Sequence, residues 1–218
     1  PGSNDKYLYE ARSEVNGEKS EVIYHPDFGK PVKLVRNGVQ TLYSYYDNGF
    51  VKAKKERFRH YAYEYKNSCN KVSKVTTKYF GKAEPVKVKS GGRPAVKLKR
   101  KLVKAVASQF YYDKRKCNLM SAKNTDGQKV LLRYDSKGRI AKITDQSKKV
   151  VNIKYEERFG KPRYVERPGL GAIEVSYKSN GEIQKVDSKD GPRIAIQVAN
   201  VFNNLLEIIS PATSDLAL

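Results

Sequence analysis

The 218-residue chain contains no tryptophan, one methionine, two histidines and two cysteines. The histidines, His25 and His60, lie in different segments, and neither an H-x-x-H nor a C-x-x-C spacing occurs, which disfavours a metal site. So few histidines also leave little material for Ser-His-Asp or Cys-His catalysis. We therefore expect no cofactor, no metal and no catalytic residues. A hidden carboxylate pair for glycan cleavage is the remaining enzymatic alternative.

Acidic residues are scarce relative to basic ones, with 23 Asp and Glu against 44 Lys and Arg, and the formal net charge is +21. No apolar run is long enough to cross a membrane, so we expect no transmembrane span. A field of this sign favours association with polyanions such as nucleic acid, lipid headgroups or anionic glycans. In the alternative interpretation, the lysines fill the solvated face of a single-layer sheet and protect its edges.

Tyrosine, by contrast, is abundant and recurs at a nearly fixed interval. Seven of the sixteen tyrosines open the same short phrase, in which glycine or cysteine follows three to five residues later. These are Tyr24, Tyr46, Tyr65, Tyr112, Tyr134, Tyr155 and Tyr177. Their separations are 22, 19, 47, 22, 21 and 22 residues, and the long gap is about two ordinary periods. A period in this range indicates a repeat architecture.

Each repeat unit has the pattern of a β-hairpin. In the clearest copy, Val130, Leu132 and Tyr134 alternate with other residues before an Asp/Ser/Gly turn, which is typical of a strand and its turn. After the turn, Ile140 and Ile143 stand three residues apart, which predicts a bulge in the returning strand. Because a lone hairpin is marginal in water, the units must pair side by side. We interpret the repeat tyrosines as core residues, with sugar stacking on an exposed part of their ladder as the alternative.

The segment Tyr134-Asp135-Ser136-Lys137-Gly138-Arg139-Ile140 resembles the YD repeat of the YD/RHS (rearrangement-hotspot) family. Tyr46-Asp47 and Tyr112-Asp113 share the dipeptide, and the other copies replace the aspartate. The resemblance covers residues 20–190 and depends on the regular recurrence rather than on any one copy. It implies a β-repeat scaffold, and some family members lie on cell surfaces and are linked to carbohydrate binding. Seven or eight hairpins are too few for the closed shell of the large members, so we expect a short, stand-alone member.

These patterns predict a mainly β fold, with repeated hairpins in one curved antiparallel meander sheet that is open or partly rolled. We divide the chain into residues 1–18, a tag remnant and N-terminal edge segment; 19–191, the repeat domain; and 192–218, a helix and tail of the same domain. The helix is predicted from apolar residues at steps of three and four, and we expect it to pack on the concave apolar face of the sheet. Its start is placed at Pro192 and its end before Pro211. The apolar stripe comprises Ile194, Val198, Val201, Phe202, Leu205, Ile208 and Ile209.

Residues 82–104 interrupt the tyrosine period and are rich in basic residues. Val86 and Val88 alternate with Lys87 and Lys89 ahead of a Gly-Gly pair, so we predict a degenerate basic hairpin whose outer face is a lysine stripe. We expect this stripe and the neighbouring cations to bind the ligand. The candidate ligand-binding residues are Lys87, Lys89, Arg93, Lys97, Lys99, Arg100, Lys101 and Lys104.

The two cysteines, Cys69 and Cys117, occupy equivalent turn positions of two repeats, which suggests a pair. Two cysteines also suit an exported protein with one disulfide. If residues 82–104 insert as a complete extra hairpin, however, the two turns lie four strands apart, or about 19 Å at ~4.8 Å per strand. A disulfide requires Cα atoms within about 7 Å. The sequence leaves the disulfide open, since a strong curl of the sheet, or departure of 82–104 from it, would allow the bond.

Pro1-Gly2-Ser3 has the form of a tag-cleavage scar, so we expect that the native N-terminus, with any signal peptide, has been removed. We expect a non-catalytic bacterial protein of the periplasm, cell surface or extracellular space that binds an anionic polymer, in the first instance a glycan, through a basic sheet face. One alternative is nonspecific binding of nucleic acid. The other is a structural or accessory role in which the protein docks another envelope protein.

Overall fold

The structure, a computed structural model, describes the backbone of residues 9–90 and 93–213 and the side chains of residues 10–88 and 96–212. The predicted tag remnant, the C-terminal tail beyond residue 213 and the Gly-Gly turn at 91–92 lie outside the described residues. So do the side chains of Lys89 and Arg93.

In the described part of the chain, fifteen strands pair in chain order in one antiparallel sheet, and one helix follows them, as the sequence predicts. The strands are β1 (Tyr9–Val15), β2 (Glu18–Tyr24), β3 (Pro31–Arg36), β4 (Val39–Tyr45), β5 (Val51–Lys55), β6 (Arg59–Glu64), β7 (Lys74–Ser90), β8 (Arg93–Tyr112), β9 (Leu119–Asn124), β10 (Lys129–Tyr134), β11 (Ile140–Asp145), β12 (Val150–Tyr155), β13 (Pro162–Arg167), β14 (Gly171–Tyr177) and β15 (Ile183–Asp187). The helix, α1, spans Pro192–Thr213.

The predicted bulge is present beside the repeat turns. In β10 and β11, Arg133 pairs with Lys142 but the next residue, Tyr134, pairs with Ile140, so Ala141 is the extra residue of the returning strand. The same shift occurs where β2, β4, β8, β12 and β14 pass into their returning strands. The bulge therefore explains the three-residue spacing of the apolar positions after each turn.

The described chain divides into two compact units. The first contains the chain up to Glu64 and Val75–Ala107, and the second contains Tyr65–Lys74 and the residues from Ser108 onward. Buried side chains of the first unit include Val51, Tyr63, Val75 and Thr77.

The second unit has an aliphatic core between its strands and α1. Leu132 faces Ile143 across β10 and β11, and Ile143 faces Val151 across β11 and β12; all three are buried. The helix contributes Val198, Leu205, Ile208 and Ile209 to the buried set and contacts β9, β10, β13, β14 and β15. The predicted packing of the helix on the apolar face is therefore confirmed for this unit, and each fully buried aliphatic side chain contributes about 1.5–3 kcal/mol.

The helix differs from the prediction at its end, because Pro211 lies inside its last turn rather than after it. A proline at this position cannot donate a backbone hydrogen bond to the carbonyl of Glu207, four residues earlier. The Ser210 hydroxyl donates to that carbonyl instead, at 3.2 Å. The side chain thus replaces the missing backbone donor and the helix continues to Thr213.

Four of the repeat tyrosines connect their hairpin to the one before it. A tyrosine at the end of a strand donates its hydroxyl to the carbonyl of the residue that follows the preceding repeat turn. These bonds join Tyr112 to Val72 (2.9 Å), Tyr134 to Leu119 (2.7 Å), Tyr155 to Ile140 (2.8 Å) and Tyr177 to Pro162 (2.7 Å). Burial raises the pKa of Tyr112 to about 12 and also raises the pKa of Tyr134, so these hydroxyls stay protonated as donors.

One repeat tyrosine was placed one residue too late from the sequence. Tyr45, not Tyr46, ends its strand and donates its hydroxyl to the Pro31 carbonyl. Tyr46 occupies the turn position that Asp135 holds in its own repeat, because its N–H bonds the Phe50 carbonyl across the turn. The hydroxyl of Tyr46 instead donates to the Tyr63 carbonyl at 2.8 Å.

Candidate functional site

The long hairpin of β7 and β8 is the most distinctive part of the chain. Its strands have 17 and 20 residues, whereas the others have five to seven. At its base, the Phe110 N–H donates to the Ser73 carbonyl at 2.9 Å. The Tyr65 and Tyr112 phrases are therefore neighbouring repeats, and their separation of 47 residues reflects two elongated strands. The segment 82–104, predicted as a degenerate basic hairpin, is the outer part of the hairpin that joins the two phrases, so the case of a complete extra hairpin inserted between them does not apply.

The base of this hairpin carries a disulfide between Cys69 and Cys117, whose Cα atoms are 5.6 Å apart. The sequence left this bond open, because a separation of about 19 Å followed only from a complete extra hairpin. Two strands, β7 and β8, lie between the turns. Both cysteines stand in the turns that follow Tyr65 and Tyr112, where other repeats have glycine. Cys117 shares the positive φ of those glycines, at 53°.

The outer part of the hairpin has two chemically different faces. A Cβ atom built on Gly81 would lie 3.4 Å from Cγ2 of Val103, so from this point outward alternation places the odd-numbered residues of the two strands on one face. We call this the lysine face, and it carries Lys87, Lys97, Lys99 and Lys101 together with Val103, all of them exposed. Four of the five lysines of the predicted stripe lie on this face, and the side chain of the fifth, Lys89, lies outside the described residues. Arg100 and Lys104 lie on the opposite face.

That opposite face is aliphatic and lies open to solvent. Val96 and Leu98 are 68% and 73% exposed, and Val86 and Leu102 are also exposed. We call these four residues the aliphatic face. In a strand of the second unit, by contrast, the alternating apolar residues Val130 and Leu132 are buried. Alternation of valine or leucine with lysine predicted the strands correctly but did not indicate that the apolar side would stay uncovered.

Arginine and phenylalanine side chains extend the aliphatic face at its base. The guanidinium groups of Arg57 and Arg100 lie 5.2 and 5.3 Å from the centre of the exposed Phe58 ring, within the range of cation–π attraction. His60 packs on Phe80 at 4.5 Å between ring centres. Burial, followed by the charges of Lys55, Lys78 and Arg100, lowers the pKa of His60, so this region has a positive potential.

The tetrapeptide Phe-Gly-Lys-Pro occurs twice, at residues 28–31 and 159–162. It has a structural role that the tyrosine period did not reveal. In each copy the lysine ammonium donates to the carbonyl of the next turn glycine, from Lys30 to Gly49 at 2.9 Å and from Lys161 to Gly181 at 2.6 Å. The proline carbonyl that follows accepts the next tyrosine hydroxyl. The sequence signal is this identical tetrapeptide.

The described residues contain no group of three or more His, Cys, Asp or Glu side chains able to hold a metal ion. None of the helical segments in the described part of the chain is long and apolar enough to span a membrane.

Comparison with solved structures finds similarity to components of Tc toxins. A crystal structure of TcdB2-TccC3-TEV is 11% identical with a TM-score of 0.37, and the match covers 82% of this chain and 12% of that chain. The Photorhabdus luminescens Tc holotoxin pore gives 11% identity, a TM-score of 0.37 and coverage of 73% and 11%. A crystal structure of TcdB2-TccC3 without its hypervariable C-terminal region is 11% identical with a TM-score of 0.39, and the match covers 78% of this chain and 11% of that chain.

The chain therefore spans about 12% of the first of these structures. At TM-scores below 0.5 this similarity does not establish a common fold. No protein-family model matches the sequence, and no curated protein matches it.

Proposed function

We propose that this protein is a non-catalytic member of the YD/RHS repeat family that binds an anionic polymer, in the first instance a glycan, through the lysine face of its long hairpin. The single observation that carries the proposal is the placement of four exposed lysines on one face of strands that extend beyond their repeats. Between Glu84 and Asp113 the sequence has no acidic residue, so no carboxylate of this segment neutralises that face.

The proposal includes a periplasmic, cell-surface or extracellular location. The Cys69–Cys117 disulfide supports it, because structural disulfides persist in oxidising compartments. A non-catalytic role is supported by the surroundings of the two histidines. His25 stacks on Phe28 at 4.4 Å and His60 packs on Phe80, so both rings are held in aromatic contacts.

The proposal predicts that Lys87, Lys97, Lys99 and Lys101 together set the affinity for polyanions. Replacing all four by glutamine should weaken binding to heparin and polygalacturonate and lower the slope of log affinity against log salt by about one for each lysine removed. Binding isotherms over a salt series measure both quantities, with neutral dextran and duplex DNA as further ligands.

A matched variant tests whether the position of the lysines matters. Lys114, Lys116, Lys149 and Lys189 are also exposed and lie in the second unit. Replacing these four lysines by glutamine changes the net charge by the same amount. We expect this variant to keep most of the glycan affinity. Equal losses in the two variants would contradict a localised site, tighter binding to DNA than to both glycans would favour nucleic acid, and salt-independent binding to dextran would remove the electrostatic proposal.

A further inference from the structure

The outer part of the long hairpin is amphipathic, and both of its faces are open to water. Its lysine face carries four exposed cations, and its aliphatic face exposes Val86, Val96, Leu98 and Leu102. Aliphatic side chains in water are unfavourable, and a contiguous exposed apolar patch commonly marks an interaction surface. An anionic polymer on the lysine face would leave this second surface unexplained.

The charges around the aliphatic face limit what can cover it. Arg57 and Arg100 lie at its base against the Phe58 ring, and Nε of Arg100 is buried without a hydrogen-bond partner. A buried donor without an acceptor is costly, so Arg100 is not explained by stability of the hairpin alone. The partner of this surface must combine apolar groups with negative charge.

We infer that the outer hairpin inserts into the interfacial layer of an anionic lipid bilayer, with Val96, Leu98 and Leu102 at the acyl boundary and the lysines and arginines at the headgroups. The inference deepens the proposed function and rests on it, because the same lysine face supplies the electrostatic attraction. It identifies the anionic groups that the lysine face binds as the headgroups of a lipid surface.

The dimensions and chemistry of a bilayer surface suit this arrangement. Amphipathic elements lie in the interface with their apolar side buried by about 5–10 Å. Lysine and arginine side chains are long enough to keep their charges among the headgroups while their stems pack on apolar groups. Each basic residue near an anionic membrane surface raises the affinity by about fivefold. Lipid-exposed sheet edges do not occur within the hydrocarbon core, so the hairpin lies at the surface and does not cross.

A second copy of the chain is the competing occupant. Pairing two aliphatic faces would bury the same valines and leucines, but it would also bring Arg57 and Arg100 of both copies together. The outer hairpin, residues 82–104, supplies a single carboxylate, Glu84, against nine basic residues. Like charges that approach in a desolvated contact repel each other. The charge pattern therefore favours the lipid surface.

The absence of tryptophan allows a direct test. Leu98→Trp places a single fluorophore on the aliphatic face, and Val39→Trp places a control at another exposed aliphatic position. Both proteins are titrated, at a salt concentration of about 0.15 M, with vesicles of phosphatidylcholine and with vesicles in which about one third of the lipid is phosphatidylglycerol. We expect a blue shift and protection from acrylamide for Leu98→Trp with anionic vesicles only, and no change for Val39→Trp. Equal shifts with neutral vesicles, or none with either, would overturn the inference.

Vesicle flotation of unlabelled variants separates this inference from the proposed function. The triple variant Val96→Ser, Leu98→Ser, Leu102→Ser should lose about tenfold or more in vesicle partitioning and keep its affinity for soluble heparin. The control Val15→Ser, Val39→Ser, Ile196→Ser alters similarly exposed residues and should behave as the unaltered protein.

The outcomes differ for the two proposals. Unchanged vesicle binding by the aliphatic triple variant overturns the lipid inference and leaves the polyanion function standing. Retention of both heparin and vesicles by the four-lysine variant defeats the polyanion function itself. If sedimentation shows a dimer that the aliphatic variant dissociates, and the protein does not float with vesicles, the second copy is the occupant and the lipid inference is wrong.

Discussion

In five of the repeats, a single phenolic hydroxyl joins the repeat to the one before it. The bond between Tyr155 and the Ile140 carbonyl measures 2.8 Å, and that between Tyr134 and Leu119 measures 2.7 Å. The acceptor stands next to the bulge, where the regular hydrogen bonding between the strands is interrupted. The tyrosine therefore satisfies a carbonyl at the point where the repeat geometry needs an additional donor.

Replacing Tyr155 by phenylalanine should lower the free energy of unfolding by about 0.5–1.5 kcal/mol, because the aromatic packing is kept and one hydrogen bond is lost. Urea denaturation gives the difference from the shift in midpoint. Tyr111→Phe is the matched control, since Tyr111 is exposed and its hydroxyl bonds only the Gln109 side chain. If both variants lose the same stability, the repeat-to-repeat bond has no special role.

The sequence predicted the tyrosine phrase but not the position of every tyrosine within it. Consecutive tyrosines at 45 and 46 fit the period equally well, and only the backbone turn shows which of them ends the strand. The hydroxyl partners were also beyond reach, because the period alone does not identify which carbonyl of the neighbouring repeat lies opposite. The repeated Phe-Gly-Lys-Pro was visible in the sequence. The acceptor of its lysine, a glycine carbonyl in the next turn, was not, because the sequence does not show how close the two turns lie.

At the scale of elements, the start of the helix depends on close approach to a strand. Gly171 begins β14 with φ at +147°, and a Cβ there would clash with Cγ2 of Ile194 and stand 2.7 Å from Oδ2 of Asp190. Asp190 in turn accepts the Ala172 N–H at 3.2 Å. The first turn of α1 therefore packs against Gly171, a position where only glycine fits.

Gly171→Ala should destabilise the second unit by more than the ~1–3 kcal/mol expected from backbone strain alone, because the new methyl group also displaces the start of the helix. Gly127→Ala provides the comparison, since Gly127 has φ at +82° and no atom within 4 Å of the added Cβ. Urea midpoints measure the two losses, and helix protection is followed by hydrogen exchange. Equal losses, with α1 equally protected in both variants, would show that the contact with Ile194 is unimportant.

Element lengths explain why the long hairpin was misjudged. Period and composition indicate where a strand lies, but they do not show that two strands simply continue past the length of the others. The segment 82–104 was predicted as a degenerate hairpin because its tyrosine is missing, and the disulfide was left open because a complete extra hairpin would have separated the two turns. The long-range bond from Phe110 to Ser73 resolves both points. The helix, which has a strong apolar stripe of its own, was predicted almost completely.

At the scale of the whole molecule, carboxylates cap the turns of a strongly basic chain. Asp113 and Asp135 each accept backbone N–H groups of their own turns. The pKa of Asp113 is lowered most by the hydrogen bond from the Lys116 N–H. The pKa of Asp135 is lowered most by the hydrogen bond from the Arg139 N–H. Burial opposes ionisation of Asp145, but hydrogen bonds from Arg167 and the Lys149 N–H outweigh it and lower the pKa.

Because these carboxyls have lower pKa values in the folded state than in the unfolded state, their contribution to stability is complete above the ordinary carboxyl pKa of about 4 and is lost as the pH falls below it. Protonation also raises a net charge that is already +21. We therefore expect the urea midpoint to fall steeply in acid.

Two variants connect this loss to the turns. Asp135→Ala should lower stability at neutral pH and reduce the further loss in acid, because its contribution is absent at every pH. Glu157→Gln alters a side chain that is 92% exposed and should follow the unaltered profile. A profile that stays flat from neutral pH to pH 3 would show that the turn carboxylates do not control acid stability.

The disulfide has a mechanical consequence. Cys69 and Cys117 are 48 residues apart in sequence, and the covalent ring that they close contains the entire projecting hairpin. Tension along the chain outside the ring reaches one cysteine and passes through the sulfur–sulfur bond to the other. Residues 70–116 therefore cannot be drawn out while the bond is intact, whatever happens to the hairpins on either side. In a reducing medium the same tension would extend the long hairpin as well.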